Sequence, residues 1–336
     1  MSVMNELKKN NSSETNWDMV DVPTDKTTDR PELPSLDKSF LKKLPEKQES
    51  VTDNFKNNSS KKNAKPFLKW AGGKQQLLMR FEPYFPSNFQ RYFEPFVGGG
   101  AVFFHLSNNR SLPKATYLFD NNQELINAYL MVRDNLGELI EILKRHKRKH
   151  NKDYYYQVRN LDRKNIYLSN VERAARTLYL NKTCYNGLYR VNSKGQFNVP
   201  MGSYKNPKIF DEDLLEGASG ALQGVTVEVR DFRSVVELAQ PGDFYYFDPP
   251  YDPVSKTSSF TGYTAGNFNN QDQKELADVF AKLSAIGCYC MLSNSHTPYV
   301  RELYKNFRIE IVKANRAINS KSNGRGAIEE VVAMNY

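Results

Sequence analysis

Long apolar runs are missing from this 336-residue chain. No stretch approaches the roughly 20 consecutive apolar residues that a membrane helix requires, and the opening residues, MSVMNELKKN, form no apolar signal region. A protein that stays in the cytoplasm and does not enter a membrane is therefore expected. Cysteine is scarce: Cys184, Cys288 and Cys290 are the only three. The number is odd, and the CYC spacing places the last two on one face of a strand, so a disulfide framework is excluded and the thiols read as packing residues. Histidine is equally thin. His105, His146, His150 and His296 lie far apart or within a basic helical run, with no cysteine at zinc spacing, so no metal site is expected.

What is present begins with positive charge. The formal net charge is +9 and the isoelectric point about 9.2, which favours a polyanionic partner. Residues 1–65 hold 12 Lys or Arg against 11 Asp or Glu, so all but one of the excess charges fall within residues 66–336. Residues 1–65 are also rich in Asn, Ser, Lys, Asp and Pro and show no sustained period of 2 or 3.6. They read as a disordered leader, with a short helical piece near Phe40–Leu44. The remaining length allows about two domains.

Four stretches carry chemistry. The run YYFDPPY, Tyr245–Tyr251, reads as a buried strand entering from a turn, with Asp248 where the strand ends. Pro249 and Pro250 lack an N–H, so the ladder stops there and the carbonyls of Asp248 and Pro249 are left to accept hydrogen bonds. Beside them Tyr251 offers a flat face, which suits a planar molecule with an exocyclic amine, an adenine or a cytosine. The plain alternative is a turn at a strand end. In PFLKWAGGKQQLL, Gly72 and Gly73 permit a tight turn before Lys74, and Gln75–Phe81 can form a helix whose N-terminus would attract an anion. In RYFEPFVGGGAVFF, Gly98, Gly99 and Gly100 follow a short strand and let backbone approach a ligand closely, although the spacing is not GxGxxG. About 20 residues on, ATYLFDNN ends a second strand at Asp120, where this fold class uses an acid to accept from ribose hydroxyls.

From Gln123 to about Leu180 the pattern is helical, ending its first section in the basic run Lys144–His150. It breaks at Asn181–Pro207, where Ser193-Lys194-Gly195 can make a hairpin turn and aromatics alternate with Arg190, Lys194, Lys205 and many amides. Arg and Asn are the side chains that read base edges bidentately, so this loop is a candidate major-groove reader. Strand Val225–Val229, helix Phe232–Leu238, the DPPY strand, a long loop over Asp252–Asn270, helix Asp272–Leu283, strand Cys288–Ser293, a short helix after Thr297 and strands near Phe307–Val312 and Ile328–Met334 complete a βα alternation. A mostly parallel α/β sheet is expected, with a largely helical insertion between about residues 131 and 225.

Taken in order, FLKWAGGK, YFEPFVGGGAVFF, YLFDNNQELI and YFDPPY resemble the motifs of the Dam/DpnII-type DNA adenine N6-methyltransferases, the alpha group or D12 class. The likeness spans residues 66–336, and NGLYRVNSKGQFNVP further resembles the members that methylate adenine in GATC. The resemblance implies a class I, Rossmann-like methyltransferase domain over 66–130 and 226–336, a target-recognition domain over 131–225, and S-adenosylmethionine as donor without a metal. It carries donor-binding roles onto Trp70, Lys74, Glu94, Pro95, Phe96, Gly98, Asp120 and Asp248, and catalytic roles onto Asp248, Pro249, Pro250 and Tyr251. Contacts to double-stranded DNA fall on Tyr185, Asn186, Leu188, Arg190, Asn192, Asn198 and Pro200. At Ser203 the chain departs from Dam, which has an arginine there, so one phosphate contact is not carried over by the resemblance. A restriction endonuclease acting on the same site, without direct binding, would be the indirect partner.

Two other classes are weighed against this one. An RNA or protein methyltransferase on the same scaffold more often carries NPPY, and a DNA-binding protein that has lost catalysis would show a broken DPPY or WAGGK motif. Asp248 and the intact motifs count against both. Removal of residues 1–60 is expected to leave folding and turnover nearly unchanged, checked by comparing circular dichroism and initial rates with those of the full chain.

Overall fold

The computed structural model describes residues 62–110, 112–164, 166–253, 268–315 and 327–336. The expected helical piece at Phe40–Leu44 and most of the Asp252–Asn270 loop lie outside these residues. Strands β1 (Tyr92–Glu94), β2 (Thr116–Asp120), β3 (Thr226–Val229), β4 (Phe244–Phe247), β5 (Tyr289–Ser295), β6 (Arg308–Asn315) and β7 (Ala327–Met334) make one sheet in the order β3-β2-β1-β4-β5-β7-β6. All neighbours from β3 through β5 run parallel, and β7 alone is antiparallel to both β5 and β6. The expected Rossmann-like α/β sheet is what the chain forms.

Strand residues are apolar on both faces because both faces are covered, and alternation sorts them. Tyr92, Leu118, Phe244, Tyr246 and Met291 enter one core with helices α2 (Ala101–Asn109), α3 (Gln123–Asp134), α4 (Leu136–Lys149), α5 (Lys152–Arg159), α6 (Asn170–Thr183) and α7 (Glu212–Leu222). Phe93, Phe119, Tyr245, Phe247, Cys290 and Leu292 enter the other with α8 (Asn270–Ile286) and the turn of α9 (Pro298–Leu303). Burial on both sides is the rule for parallel strands joined by helical crossovers. Cys288 and Cys290 share the second core as free, buried thiols. Among the described residues, no helix is long and apolar enough to cross a membrane and no cluster could hold a metal ion.

The chain moves outward from β1 to β2 and β3, then returns to place β4 on the other side of β1. That reversal opens a crevice beyond the carboxyl ends of β1 and β4, the usual ligand position in such sheets. Glu94 and Asp248 both end at this crevice.

Several local expectations change. The helix expected over Gln75–Phe81 shrinks to α1 (Leu78–Phe81), because the Lys74 carbonyl closes turns with Leu77 N and Leu78 N, and the Lys74 side chain is drawn inward. No helix N-terminus for an anion exists there. The long helical stretch is cut at Asn135 and Asn151 and again over 160–169; Asn151 caps Tyr154 N through its side chain, and Ser169 opens α6 with a capping box to Glu172. Phe232–Leu238 is a 3-10 helix. Residues 62–65, assigned by composition to the leader, pack on the fold: Ala64 is buried, and its N and O are bracketed by the Asn108 amide at 3.0 and 2.7 Å.

One buried ion pair pins the start of the two central strands. Arg91 donates from Nε to Asp243 Oδ1 at 2.8 Å and from Nη2 to Oδ2 at 2.6 Å, while Phe244 N donates to Arg91 O at 2.8 Å. Asp243 is fully buried, so removing the guanidinium strands a carboxylate away from water. Arg91→Ala is expected to cost about 3–5 kcal/mol of stability, the range for breaking one side of a buried pair, read from the urea midpoint. A loss below about 1 kcal/mol would show that the pair contributes little.

Candidate active site

The DPPY turn leaves β4 where the parallel ladder ends, and the chain supplies partners to it from four distant segments. Lys74, 3% exposed, points its ammonium at Asp248 Oδ1 at 2.7 Å. It also donates to the Gly72 carbonyl at 2.7 Å, which the Gly72 turn at φ 80° brings within reach, and lies 4.4 Å over the Tyr251 ring. Ser293, near the end of β5, donates to the same Asp248 Oδ1 at 3.1 Å. Among the described residues, Asp248 Oδ2 and the Pro249 carbonyl accept no hydrogen bond. The Pro250 carbonyl is occupied by Gln273 Nε2 at 3.0 Å.

Tyr251 is fixed at its far end. Its hydroxyl donates to Glu330 Oε2 at 2.6 Å, a carboxylate brought in by β7. Burial raises the Glu330 carboxyl, opposed by the nearby Lys74 charge and by the Tyr251 hydroxyl. Burial likewise raises Asp248, with Lys74 and Ser293 pulling the other way. Glu94, buried at the end of β1, is pushed up to about 8 by burial, against the hydrogen bond it accepts from Tyr92 Oη at 2.8 Å. Burial thus raises all three carboxyls, and Asp248 is the one with a lysine ammonium at 2.7 Å.

The glycine turn adjoins this cluster. Gly98 N donates to Asp120 Oδ2 at 3.2 Å and Asn122 N to Asp120 Oδ1 at 2.9 Å, so the acid at the end of β2 anchors the turn after β1. Burial pushes Asp120 up to about 6 despite those bonds. Gly98 has φ 47°, and an added Cβ would lie 2.8 Å from Trp70 Cδ1, so only glycine lets the indole lie across the turn. Trp70 then stacks on Tyr189 with ring centroids 5.2 Å apart. Phe96 turns to the other side, against Phe232 at 5.3 Å and Phe268 at 5.8 Å. Pro95 is buried between these groups in sequence.

The amide-rich loop is organised by a hairpin at the expected turn. Val191 and Phe197 form an antiparallel bridge, Asn192 N donates to Gln196 O at 2.9 Å, and Gly195 takes φ 73°. Arg190 Nε donates to Asn198 Oδ1 at 2.7 Å; among the described residues its two terminal nitrogens have no partner. Asn192 differs: its Oδ1 accepts Lys194 N and Gln196 N and its Nδ2 donates to Gln196 Oε1, so the amide builds the turn. Tyr185 is half exposed beside Asn186, which adopts a left-handed φ of 55°, and Tyr185 N donates to the Pro200 carbonyl. Leu188 packs partly on the core.

The family resemblance assigned Lys74, Asp248 and Tyr251 to one site, and the residues by themselves associated Gly98 with Asp120; the Lys74–Asp248 contact itself appears only in the fold. Sequence reasoning missed Ser293, Glu330 and Asn181. For Ser293 a signal existed: the apolar strand β5 ends in SNS, whose three polar side chains are buried, an arrangement that needs partners. Asn181 is buried at the end of α6, where its amide accepts Lys69 N at 2.8 Å and donates to Lys69 O at 2.8 Å and Gly187 O at 3.0 Å.

Comparison with known proteins follows the same lines. The family model for D12 class N6 adenine-specific DNA methyltransferases matches residues 70–318. The type II methyltransferase M1.LlaDCHI of Lactococcus lactis subsp. cremoris is 47% identical over 281 residues, covering 82% of this chain and 97% of its own. The type II methyltransferase M.MjaIII of Methanocaldococcus jannaschii is 45% identical over 287 residues, with 81% and 99% covered. A DNA adenine methylase of Vibrio cholerae is 36% identical over 284 residues, with 81% and 96% covered. With the WAGGK, glycine-turn and DPPY segments converging on one crevice and nearly the full length of these relatives matched, the chain belongs to the D12 class of N6 adenine-specific DNA methyltransferases.

Proposed function

We propose that the enzyme methylates the adenine of 5'-GATC-3' in double-stranded DNA after rotating that base out of the stack into the DPPY pocket. One observation carries the pocket assignment: among the described residues, Asp248 Oδ2 and the carbonyl of the next residue, Pro249, accept no hydrogen bond, and both precede the Tyr251 ring by three residues or fewer. An exocyclic amine has two N–H donors and a planar ring to stack, and base-modifying enzymes hold an extruded base in this manner.

S-adenosylmethionine, the donor of this enzyme class, supplies an electrophilic methyl on a sulfonium. The residues present fit it. Carboxyls at the ends of β1, β2 and β4 surround a glycine turn, giving acceptors for an ammonium and for ribose hydroxyls, and Lys74 provides a cation. In this reading Asp120 and Glu94 line the donor side, with Trp70, Pro95, Phe96 and Gly98 shaping its walls. Asp248 and Pro249 orient the N6 amine so that its lone pair points along the line of attack, and Pro250 stiffens the turn. With the amine so held against the donor's methyl, the Asp248 carboxylate, which burial makes more basic, would take the N6 proton released on transfer. Positioning supplies much of the acceleration.

Base reading is assigned to the segment within 131–225. Arg190, with Nε held by Asn198 and both terminal nitrogens without a partner among the described residues, is set to bond O6 and N7 of a guanine. Tyr185 and Asn186 face the space an extruded base leaves, Leu188 and Pro200 complete the reading surface, and Asn192 closes the hairpin that carries it. Its relatives are named both type II methyltransferases and DNA adenine methylases, so protection of DNA from a restriction endonuclease with the same site and a solitary methylase role are the two biological settings.

Incubation with labelled donor and a duplex holding one GATC is expected to give N6-methyladenine at that adenine; label in cytosine, or in RNA alone, would refute the assignment. Asp248→Ala is expected to lower turnover more than roughly 100-fold with duplex binding retained, and near-normal turnover would remove Asp248 from the chemistry. Arg190→Ala is expected to lower preference for GATC over single-guanine variants by about 5- to 150-fold, the 1–3 kcal/mol of a bidentate base contact. A uniform loss across all sites, at fixed salt, would instead make Arg190 a phosphate contact.

A further inference from the structure

The two strands of the reading hairpin have different attachments. On the return strand Phe197 and Val199 are buried in the helical layer, while Asn198 between them faces Arg190. Side chains alternate along an extended chain, so whatever fixes the peptides at 197 and 199 also fixes where the Asn198 amide is presented. Asp162 Oδ2 accepts Phe197 N at 2.8 Å, Arg163 Nη2 donates to Phe197 O at 2.6 Å, and Tyr155 Oη donates to Val199 O at 2.9 Å. Asp162 is itself held by Arg163 Nη1 at 2.5 Å and by Arg176 Nη2 at 2.7 Å. Arg176 is buried and donates to the carbonyls of Val158 and Arg159, which fastens the assembly to the end of α5.

The outgoing strand has no comparable support at the reading residue. Among the described residues, the polar contacts of Arg190 are both with Asn198: the Nε bond and Asn198 N donating to Arg190 O at 3.1 Å. The position of the guanidinium is therefore inherited from the return strand, and the return strand takes its position from a carboxylate that accepts one backbone N–H and two guanidinium groups at once. Charge-assisted bonds of this kind are short and directional, which a neutral side chain would not reproduce.

We propose that Asp162 is a specificity-positioning residue: from behind the hairpin it sets the Phe197 peptide, and through Asn198 the guanidinium of Arg190, so that it governs which bases are accepted. The inference rests on the reading of Arg190 as a base contact. A merely structural role for Asp162 would reduce the folded fraction and slow methylation of every duplex alike, whereas a positioning role changes the ratio between sites.

The test measures kcat/KM at fixed salt for the duplex site mapped with the wild-type enzyme and for its single-guanine variants, using wild type, Asp162→Ala, Arg190→Ala and the double variant. Asp162→Ala is expected to lower the discrimination ratio about 10-fold, with KM for S-adenosylmethionine unchanged, and the double variant is expected to match Arg190→Ala alone. Asp162→Asn, which keeps an acceptor for Phe197 N, is expected to retain more of the ratio, and it carries the same test if the alanine variant does not fold. An unchanged ratio in the Asp162 variants alongside a lowered one in Arg190→Ala overturns the proposal, as do additive effects in the double variant. An unchanged ratio in Arg190→Ala overturns the base-contact reading itself, and the positioning role with it.

Discussion

The pairing of Lys74 with Asp248 organises the rest of the site. A lysine this buried has lost nearly all its water, and only an ionised partner at 2.7 Å with a second acceptor, the Gly72 carbonyl, offsets that cost. Meeting the demand dictates the local chain. The two glycines turn the backbone back on itself, the following helix starts late, and the ammonium comes to rest over Tyr251. Because Lys74 and Ser293 both take Oδ1, the other carboxylate oxygen is left without a hydrogen bond among the described residues, so the pair orients the acid as well as neutralising it.

Around that pair the sheet order does the assembling. The reversal between β1 and β4 places Glu94 and Asp248 at one crevice, and the insertion of β7 between β5 and β6 lays Glu330 opposite Ser295. A strand added at the edge would have left Glu330 out of reach of Tyr251. The antiparallel β7 therefore serves the pocket: it delivers an acceptor for the tyrosine hydroxyl, which sets the tilt of the ring.

The amide-rich loop and the glycine turn after β1 share a joint. Asn181 spends its amide on both backbone groups of Lys69 and on the Gly187 carbonyl, and one residue further Trp70 lies between Gly98 and Tyr189. Gly187 at φ 67° allows the approach, since a Cβ there would meet Lys69 Cδ at 2.4 Å. Contacts that begin at the 191–197 hairpin thus run, by packing and hydrogen bonds, to the glycine turn at the end of β1.

The sequence by itself determined what depends on neighbours a few residues apart. Short apolar runs at Tyr92–Glu94, Thr116–Asp120 and Phe244–Phe247 marked buried strands, Pro249 and Pro250 ended one of them, glycines marked the turns at 72, 98 and 195, and Ser193–Gly195 marked the hairpin. Such features follow from backbone sterics and from which faces can be buried. Tertiary structure alone decided the pairings. Lys74 reaching Asp248, Glu330 reaching Tyr251, Asp162 reaching Phe197 and Asn181 reaching Lys69 each join segments whose distance in the chain carries no periodic signal. The same holds for Asn192, whose residue type suited a base contact while its surroundings turned the amide inward to close the hairpin. A side chain's identity lists the bonds it can make, and the order of strands in the sheet selects which of them it does make.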